Sequence, residues 1–237
     1  METVAVVTMN NGENRHNPAF VEGMSRALKE ILDDDAVSAV IISSGDEKFW
    51  SVGIDVEWMT AAFASGEQGA VRSFLYALNG LFITMLSYPL PLIASINGHV
   101  AANGLVLACA CDFRFMRADR GLCRFPEVDI GIPFLPGMIE ITAKGMPRHA
   151  FEELKYTGKT VTARELERDR VILRACTDGE ELYRDSMAFA SSLRKKRDIF
   201  GEMKRRMNRK IIQAIETEDP AYIEPLNLLP GGMPYPK

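Results

Sequence analysis

Residues 97–112 read NGHVAANGLVLACACD, and this stretch is the most informative about the fold. It follows an apolar segment at 89–96 that reads as a strand, and it passes through a turn of small residues into an apolar run. Asn103-Gly104 marks the expected start of a helix, whose first N–H groups have no partner within the helix. Small residues before such a helix let the backbone approach a ligand closely.

A second stretch, FWSVGID at 49–55, has the same design of a strand followed by small residues at a turn. One N–H donor from each turn would form a two-point site for a developing negative charge, helped by the positive end of the helix. Ordinary tight turns have the same spacing, so the spacing alone leaves both interpretations open.

The segments before these turns predict a parallel α/β fold. TVAVVTM at 3–9 reads as a strand, and Asn17-Pro18 as a helix start with a capping side chain followed by proline. AVSAVIISS at 36–44 is rich in β-branched residues and reads as a strand buried on both faces. Strand, helix, strand is the order found in parallel α/β proteins. A loop is expected at 45–57 and helical structure over much of 58–87.

The chain from about residue 133 onward is predicted to be mostly helical. Residues 195–216 predict one strong amphipathic helix. Its apolar stripe comprises Ile199, Phe200, Met203, Met207, Ile211 and Ile215. The run from 194 to 210 holds nine basic and two acidic residues, which a solvated helix face would also explain. The Pro/Gly-rich tail from residue 225 is expected to be loose.

Composition bounds the class of protein. The chain has 237 residues, 47% of them apolar and 25% charged, which suits one large domain with a sizeable core. The net charge of −4 argues against a nucleic-acid partner. No signal peptide or uninterrupted membrane-spanning stretch is visible, so no membrane partner is expected. The four cysteines lack metal-site spacing, and we expect them to be buried in a protein of the reducing cytoplasm.

The two turns also carry a family resemblance. KFWSVGIDVEW at 48–58, and PLIASINGHVAANGLVLACACDFRFM with FPEVDIGIP within 91–133, resemble the two signature blocks of the crotonase (enoyl-CoA hydratase/isomerase) superfamily. Within it they most resemble short plant-peroxisomal-like Δ3,Δ2-enoyl-CoA isomerases. The resemblance implies a crotonase-type spiral of ββα units at 1–180. A helical region at 181–237 would serve oligomerisation and cover CoA, in a homotrimer or hexamer.

The resemblance assigns an oxyanion hole to two backbone N–H groups. The first donor is Ile54, which follows Gly53. The second is Asn103, the middle residue of Ala102-Asn103-Gly104, where the family has a Gly-Gly-Gly-like triplet. The remaining residues expected near substrate or CoA are Ser51, Val52, Gly53, Asp55, Trp58 and Val106, with Asp55 ordering its turn and Trp58 lining a channel or the core. Cations of the run 194–210 could meet the CoA phosphates.

Val106 and Glu127 indicate the reaction. Hydratases of the family carry a glutamate at the position of Val106 and a second one at the position of Glu127. One carboxylate against an apolar wall suits a 1,3-proton shift better than the addition of water. The resemblance therefore implies a Δ3,Δ2-enoyl-CoA isomerase of fatty-acid degradation with Glu127 as the catalytic base, CoA being part of the substrate and no metal or redox cofactor being implied. Glu140 is an alternative base, whereas Asp129 and His99 are expected to be structural.

Three other functions stay open at this stage. A crotonase-type fold could catalyse hydration or thioester hydrolysis of an acyl-CoA. It could also bind acyl-CoA without turnover, as a scaffold. The basic run could bind nucleic acid, in which case binding should depend strongly on salt.

Overall fold

The computed structural model describes residues 3–228, in which strands and helices alternate along most of the chain. The strands are β1 Thr3–Met9, β2 Arg15–His16, β3 Val37–Ser44, β4 Phe49–Ser51, β5 Gly53–Ile54, β6 Leu92–Ile96, β7 His99–Ala101, β8 Phe113–Arg117, β9 Leu122–Arg124, β10 Val161–Thr162 and β11 Arg174–Cys176. The helices are α1 Pro18–Ile31, α2 Val56–Ala64, α3 Gln68–Ser87, α4 Asn103–Ala110, α5 Glu127–Ile130, α6 Pro136–Gly145, α7 Arg148–Thr157, α8 Ala163–Arg168, α9 Gly179–Ser192, α10 Arg197–Met207, α11 Arg209–Thr217 and α12 Pro220–Ile223.

The strands form three sheets. The largest has the order β1-β3-β6-β8-β11, and all its neighbouring strands are parallel. The second has the order β10-β9-β7-β4, with only β10 and β9 antiparallel. The third is the short parallel pair β2-β5. The predicted α/β class with parallel strands is confirmed.

The large sheet is covered on both faces, as the alternation of side chains along β3 shows. Val40 and Ile42 of β3 belong to the main core, together with buried residues of α1, α3 and α4. Ala39 and Ile41 point the other way and pack with side chains of α9. The division predicted at residue 180 assigns most of α9 to the C-terminal region, whereas its packing joins it to the sheet.

The local signals near the N-terminus are confirmed. The side chain of Asn17 accepts a hydrogen bond from the backbone N–H of Phe20 at 3.1 Å, and α1 begins at Pro18. This cap satisfies one of the N–H groups that a helix start leaves without a partner. The strands predicted at 3–9 and 36–44 are β1 and β3, paired in parallel.

Two expectations for the segment of residues 45–87 need correction. The predicted loop at 45–57 contains the short strands β4 and β5 and the start of α2. The helical structure predicted over 58–87 is divided into α2 and α3. Gly66 between them has φ of 78°, a left-handed conformation that ends a helix and suits glycine.

The single helix predicted over 195–216 is wrong: it is divided into α10 and α11 at Asn208. The buried Asn208 side chain donates to the carbonyl of Leu86 at the end of α3, at 2.7 Å. The predicted stripe is divided in the same way. Ile215 in α11 is buried, whereas Met207 at the end of α10 is 76% exposed.

One helix within residues 3–228, α3, is long and apolar enough to span a membrane by length and composition. Half of its most apolar window is buried inside the fold, as is also found for core helices. The four cysteines are free, and they are buried as predicted. Residues 229–237 of the tail expected to be loose lie outside the described residues.

Candidate active site

The two predicted turns meet in space, and glycines allow their close approach. Gly53 has φ of 87°, and a Cβ atom on it would lie 2.6 Å from the backbone nitrogen of Asn103. A Cβ atom on Gly104 would collide with the carbonyl group of Ser51. Because no side chain fits between them, the turns pack backbone against backbone.

Both expected donor residues lie beside one cavity. Ile54 follows Gly53 directly, and Asn103 is the first residue of α4. The N–H of a first helical residue has no partner within its helix. Ala102, which precedes it, has φ of 52°, a left-handed conformation that is uncommon outside glycine. Such backbone strain is often found at functional sites.

The cavity has a volume of about 270 Å³ and is mostly apolar. Ile54, Asn103 and Glu127 all line it. Its apolar lining includes Val52, Val56, Met59, Leu75, Leu135 and Met138. A cleft of this composition excludes water and strengthens the electrostatic interactions inside it.

Glu127 brings a carboxyl group into this cavity from the first position of α5. Its side chain is buried, and Oε2 has no hydrogen-bond partner among the described residues. Burial raises the pKa of this carboxyl. Its own backbone N–H and the charges of Lys155 and Arg124 oppose that rise. The group is therefore suited to gain and lose a proton closer to neutral pH than an ordinary glutamate.

Lys155 of α7 lies near Glu127 and was not found by sequence reasoning. Its Nζ atom lies over two aromatic rings, 3.8 Å from the centroid of Phe125 and 2.9 Å from that of Phe134. This buried atom has no hydrogen-bond partner in the part of the chain that the structure describes. Burial lowers the pKa of Lys155, and the charge of Glu127 opposes that lowering.

The buried imidazole of His16 connects the two turns and was also missed. Its Nε2 atom lies 3.0 Å from Ser51 Oγ, and its Nδ1 atom lies 2.9 Å from Asn103 Nδ2. The ring stacks on Phe20 with centroids 4.4 Å apart. Burial lowers the pKa of His16 to about 3, so the ring is neutral at neutral pH. No local motif signals this role, because Ser51 and Asn103 are distant in sequence.

The carboxylate of Glu13 is the other acidic group lining the cavity within residues 3–228. It forms an ion pair with Arg15, which also lines the cavity, at 2.7 Å. Both side chains are partly exposed to solvent. Sequence reasoning did not identify this pair.

Most of the predicted substrate-contacting residues lie behind the cavity wall rather than on it. Val52 lines the cavity, but Ser51, Gly53 and Val106 do not. Ser51 and Gly53 are covered by the second turn, and Val106 is fully buried because α4 is enclosed on all sides. We therefore assign these three residues to the support of the site.

Asp55 and Trp58 also lie outside the cavity lining. Asp55 caps α2 by accepting from the backbone N–H of Trp58 at 3.0 Å and from Asn17 Nδ2 at 3.1 Å. The half-buried Trp58 ring packs edge-to-face on Phe74, with centroids 5.1 Å apart. Asp55 thus orders the first turn, and Trp58 packs against the core.

The secondary candidates do not lie at the cavity. Asp129 forms an ion pair with Arg124 at 2.7 Å, and Glu140 is exposed on α6. His99 Nδ1 accepts from the backbone N–H of Leu122 at 3.1 Å. Neither carboxylate lines the cavity. Glu140 is thus poorly placed to be the alternative base.

Some cations of the basic run 194–210 form intramolecular ion pairs and hydrogen bonds. Buried Lys204 pairs with Asp112 at 2.8 Å. Arg197 donates to the carbonyls of Leu32 and Val37 at 3.1 and 2.9 Å. These two cations are engaged in packing α10 against the core, and no residue of the run lines the cavity.

The chain is similar to known proteins over most of its length. A family model described as Enoyl-CoA hydratase/isomerase matches residues 1–222. Enoyl-CoA delta isomerase 2, peroxisomal, of Arabidopsis thaliana is 31% identical over 174 residues, which are 72% of this chain and 72% of that protein. Enoyl-CoA delta isomerase 3 of the same plant is 32% identical over 155 residues, covering 65% of this chain and 64% of that one. A putative enoyl-CoA hydratase of Thermus thermophilus is 31% identical over 182 residues, covering 76% and 70%.

Solved structures share the fold. An enoyl-CoA hydratase/isomerase family protein from Pseudomonas syringae superimposes with a TM-score of 0.83 at 23% identity, covering 93% of each chain. A probable enoyl-CoA hydratase from Mycobacterium tuberculosis gives 0.84 at 23% identity, covering 96% of this chain and 94% of that one. The predicted crotonase-type fold is confirmed.

Proposed function

The chain belongs to the enoyl-CoA hydratase/isomerase family, and on that premise we propose that it moves the double bond of a 3-enoyl-CoA thioester to carbon 2. The observation that carries the proposal is the buried carboxyl of Glu127, which faces a mostly apolar cavity and whose Oε2 atom has no hydrogen-bond partner among residues 3–228. Next to it are the two turns that hold Ile54 and Asn103. The similarity to plant delta isomerases supports the same reaction.

The first step is removal of a proton from C2. The thioester oxygen accepts hydrogen bonds from the N–H groups of Ile54 and Asn103, which makes the C2 protons more acidic. The carboxylate of Glu127 takes one of them, and the electron pair moves into a dienolate whose charge rests on the thioester oxygen. Donors preorganised for such an oxygen stabilise the transition state without reorganisation.

The second step returns the same proton. The protonated Glu127 delivers it to C4, the electrons of the dienolate restore the carbonyl, and the product is a 2-trans-enoyl-CoA. The carboxylate is regenerated, so no atom is gained or lost. A raised pKa suits a group that acts first as base and then as acid.

Hydration of a 2-enoyl-CoA is the alternative, and Glu13 is the observation that favours it. Two carboxylates around one water would suit that reaction, and Glu13 also lines the cavity. The similarity to a putative enoyl-CoA hydratase of Thermus thermophilus points the same way. Against it, Glu13 is partly exposed and already paired with Arg15.

Product analysis separates the two reactions. The enzyme is incubated separately with trans-3-hexenoyl-CoA and trans-2-hexenoyl-CoA, and the thioesters are resolved by liquid chromatography and mass spectrometry. We expect rapid formation of 2-hexenoyl-CoA from the first and negligible 3-hydroxyhexanoyl-CoA from either. Hydration of the second substrate at a rate matching isomerisation of the first would overturn the proposal. Repetition with the ten-carbon homologues guards against a chain-length mismatch.

Lys155 provides a test through pH. The carboxylate form of Glu127 is the base, so kcat/KM should rise with pH through the pKa of this group. Because the Lys155 charge lowers that pKa, Lys155→Met should raise it and move the acidic limb of the profile to higher pH. The matched control is Lys159→Met, which removes a nearby cation paired with Glu153. A limb that moves equally in both variants, or moves to lower pH in Lys155→Met, contradicts this assignment.

A further inference from the structure

We propose that His16 is a positioning residue that holds the two oxyanion donors at a fixed separation by bridging the side chains of Ser51 and Asn103. The inference rests on the proposed isomerase function, because it assigns a role in that reaction to residues that do not touch the reacting atoms. Its basis is a continuous chain of hydrogen bonds behind the cavity wall, from the turn of Ile54 to the start of α4.

The donor and acceptor of each hydrogen bond in this series can be assigned by starting from the carbonyl of Asn14. Ser51 Oγ lies 2.8 Å from the carbonyl oxygen of Asn14, which can only accept, so the Ser51 hydroxyl donates there. Ser51 Oγ must then accept from His16 Nε2, at 3.0 Å. It also accepts from the backbone N–H of Gly53, at 3.2 Å. The oxygen of Ser51 thereby uses its full hydrogen-bonding capacity.

The tautomer of His16 determines the donor and acceptor of its bond to Asn103. A neutral ring that carries its proton on Nε2 has a lone pair on Nδ1, which must accept. Asn103 Nδ2 lies 2.9 Å away and donates to it. Asn103 Oδ1 has no hydrogen-bond partner among residues 3–228, so this bond is the one that anchors the buried amide there.

This series of hydrogen bonds explains how an asparagine is accommodated at the second donor position. A glycine there would need no support for its side chain, whereas the amide of Asn103 is buried and costs free energy unless it is paired. His16 satisfies the amide and in the same contact ties the first residue of α4 to Ser51. Because Ser51 also holds Gly53, the residue before Ile54, both donor turns share one anchor.

Two single variants and their combination test the positioning role by steady-state kinetics with trans-3-hexenoyl-CoA. His16→Phe keeps an aromatic ring to stack on Phe20 but can neither donate nor accept. Asn103→Ala removes the tether from the other side while keeping the backbone N–H. We expect each to lower kcat by roughly 10- to 100-fold, with a much smaller change in KM, because a small misplacement of catalytic groups has effects of this size.

The double variant distinguishes positioning from general structural support. His16→Phe/Asn103→Ala should lose no more kcat than the worse single variant, because both changes break the same contact. Losses that multiply in the double variant would overturn the proposal. If His16→Phe does not fold, Asn103→Ala carries the test, and a kcat equal to that of the wild type would overturn the proposal.

A readout independent of activity separates this inference from the proposed function. In ¹⁵N-labelled protein at pH 7, the His16 ring should show the neutral tautomer with its proton on Nε2, assigned by its absence from His16→Phe. The backbone amide signal of Asn103 should shift in the same variant. A ring protonated on Nδ1, or an unshifted Asn103 amide, would overturn the inference even in an active enzyme. An inactive wild type with both signatures would refute only the isomerase function.

Discussion

Glu127→Gln is expected to lower kcat for isomerisation of a 3-enoyl-CoA by roughly 10²- to 10⁴-fold, the range typical of a lost general acid–base group. The amide has nearly the same shape as the carboxyl but cannot take the C2 proton. KM should change little, because the backbone donors and apolar walls stay in place. Steady-state kinetics with trans-3-hexenoyl-CoA measures both constants.

The free energy of unfolding should change little in Glu127→Gln. Glu127 Oε2 has no hydrogen-bond partner among the described residues, so the variant breaks no hydrogen bond at that atom. The matched control is Glu140→Gln, which neutralises an exposed carboxylate on α6 and should leave kcat within about twofold, as surface changes usually do. Normal turnover by Glu127→Gln would remove Glu127 from the mechanism, and loss of turnover in Glu140→Gln would show that Glu140 takes part in it.

Gly53→Ala is expected to reduce kcat/KM by roughly 10²- to 10³-fold, the cost of losing one oxyanion donor. The new Cβ would lie 2.6 Å from the nitrogen of Asn103 and 3.0 Å from the Cβ of Ala102. Since these are atoms of the backbone and of a short side chain, the two turns must separate. The φ of 87° adds strain of about 1–3 kcal/mol for a residue other than glycine.

The control for this change is Gly80→Ala. Gly80 lies exposed within α3, and a Cβ atom there would meet nothing within 4 Å. It should leave kcat/KM unchanged and raise the free energy of unfolding by about 0.5–1 kcal/mol, because alanine suits a helix interior better. Denaturant unfolding checks that Gly53→Ala is folded when its activity is measured. A folded Gly53→Ala enzyme with wild-type kcat/KM would show that the packing of the turns does not set the donor geometry.

Much of this protein follows from signals between residues close in sequence. The cap of α1 by Asn17 and the β-branched run of β3 predict strand, helix and strand because each depends on a few neighbouring residues. The small residues of the two turns indicated where backbone could reach a ligand, and Gly53 and Gly104 have that role. The family resemblance singled out Glu127, which faces the cavity beside them.

The tertiary structure alone decided which side chains support that site. His16 and Asn103 are 87 positions apart and meet only because β2 pairs with β5 beside the start of α4. In the sequence Lys155 is indistinguishable from any lysine of a helix. In the fold, the aromatic rings near Glu127 enclose its amine. The sequence of the basic run suits contact with phosphates, whereas the fold buries Lys204 against Asp112. Local propensity depends on neighbours within a turn or two, whereas burial and pairing depend on which distant surfaces pack together.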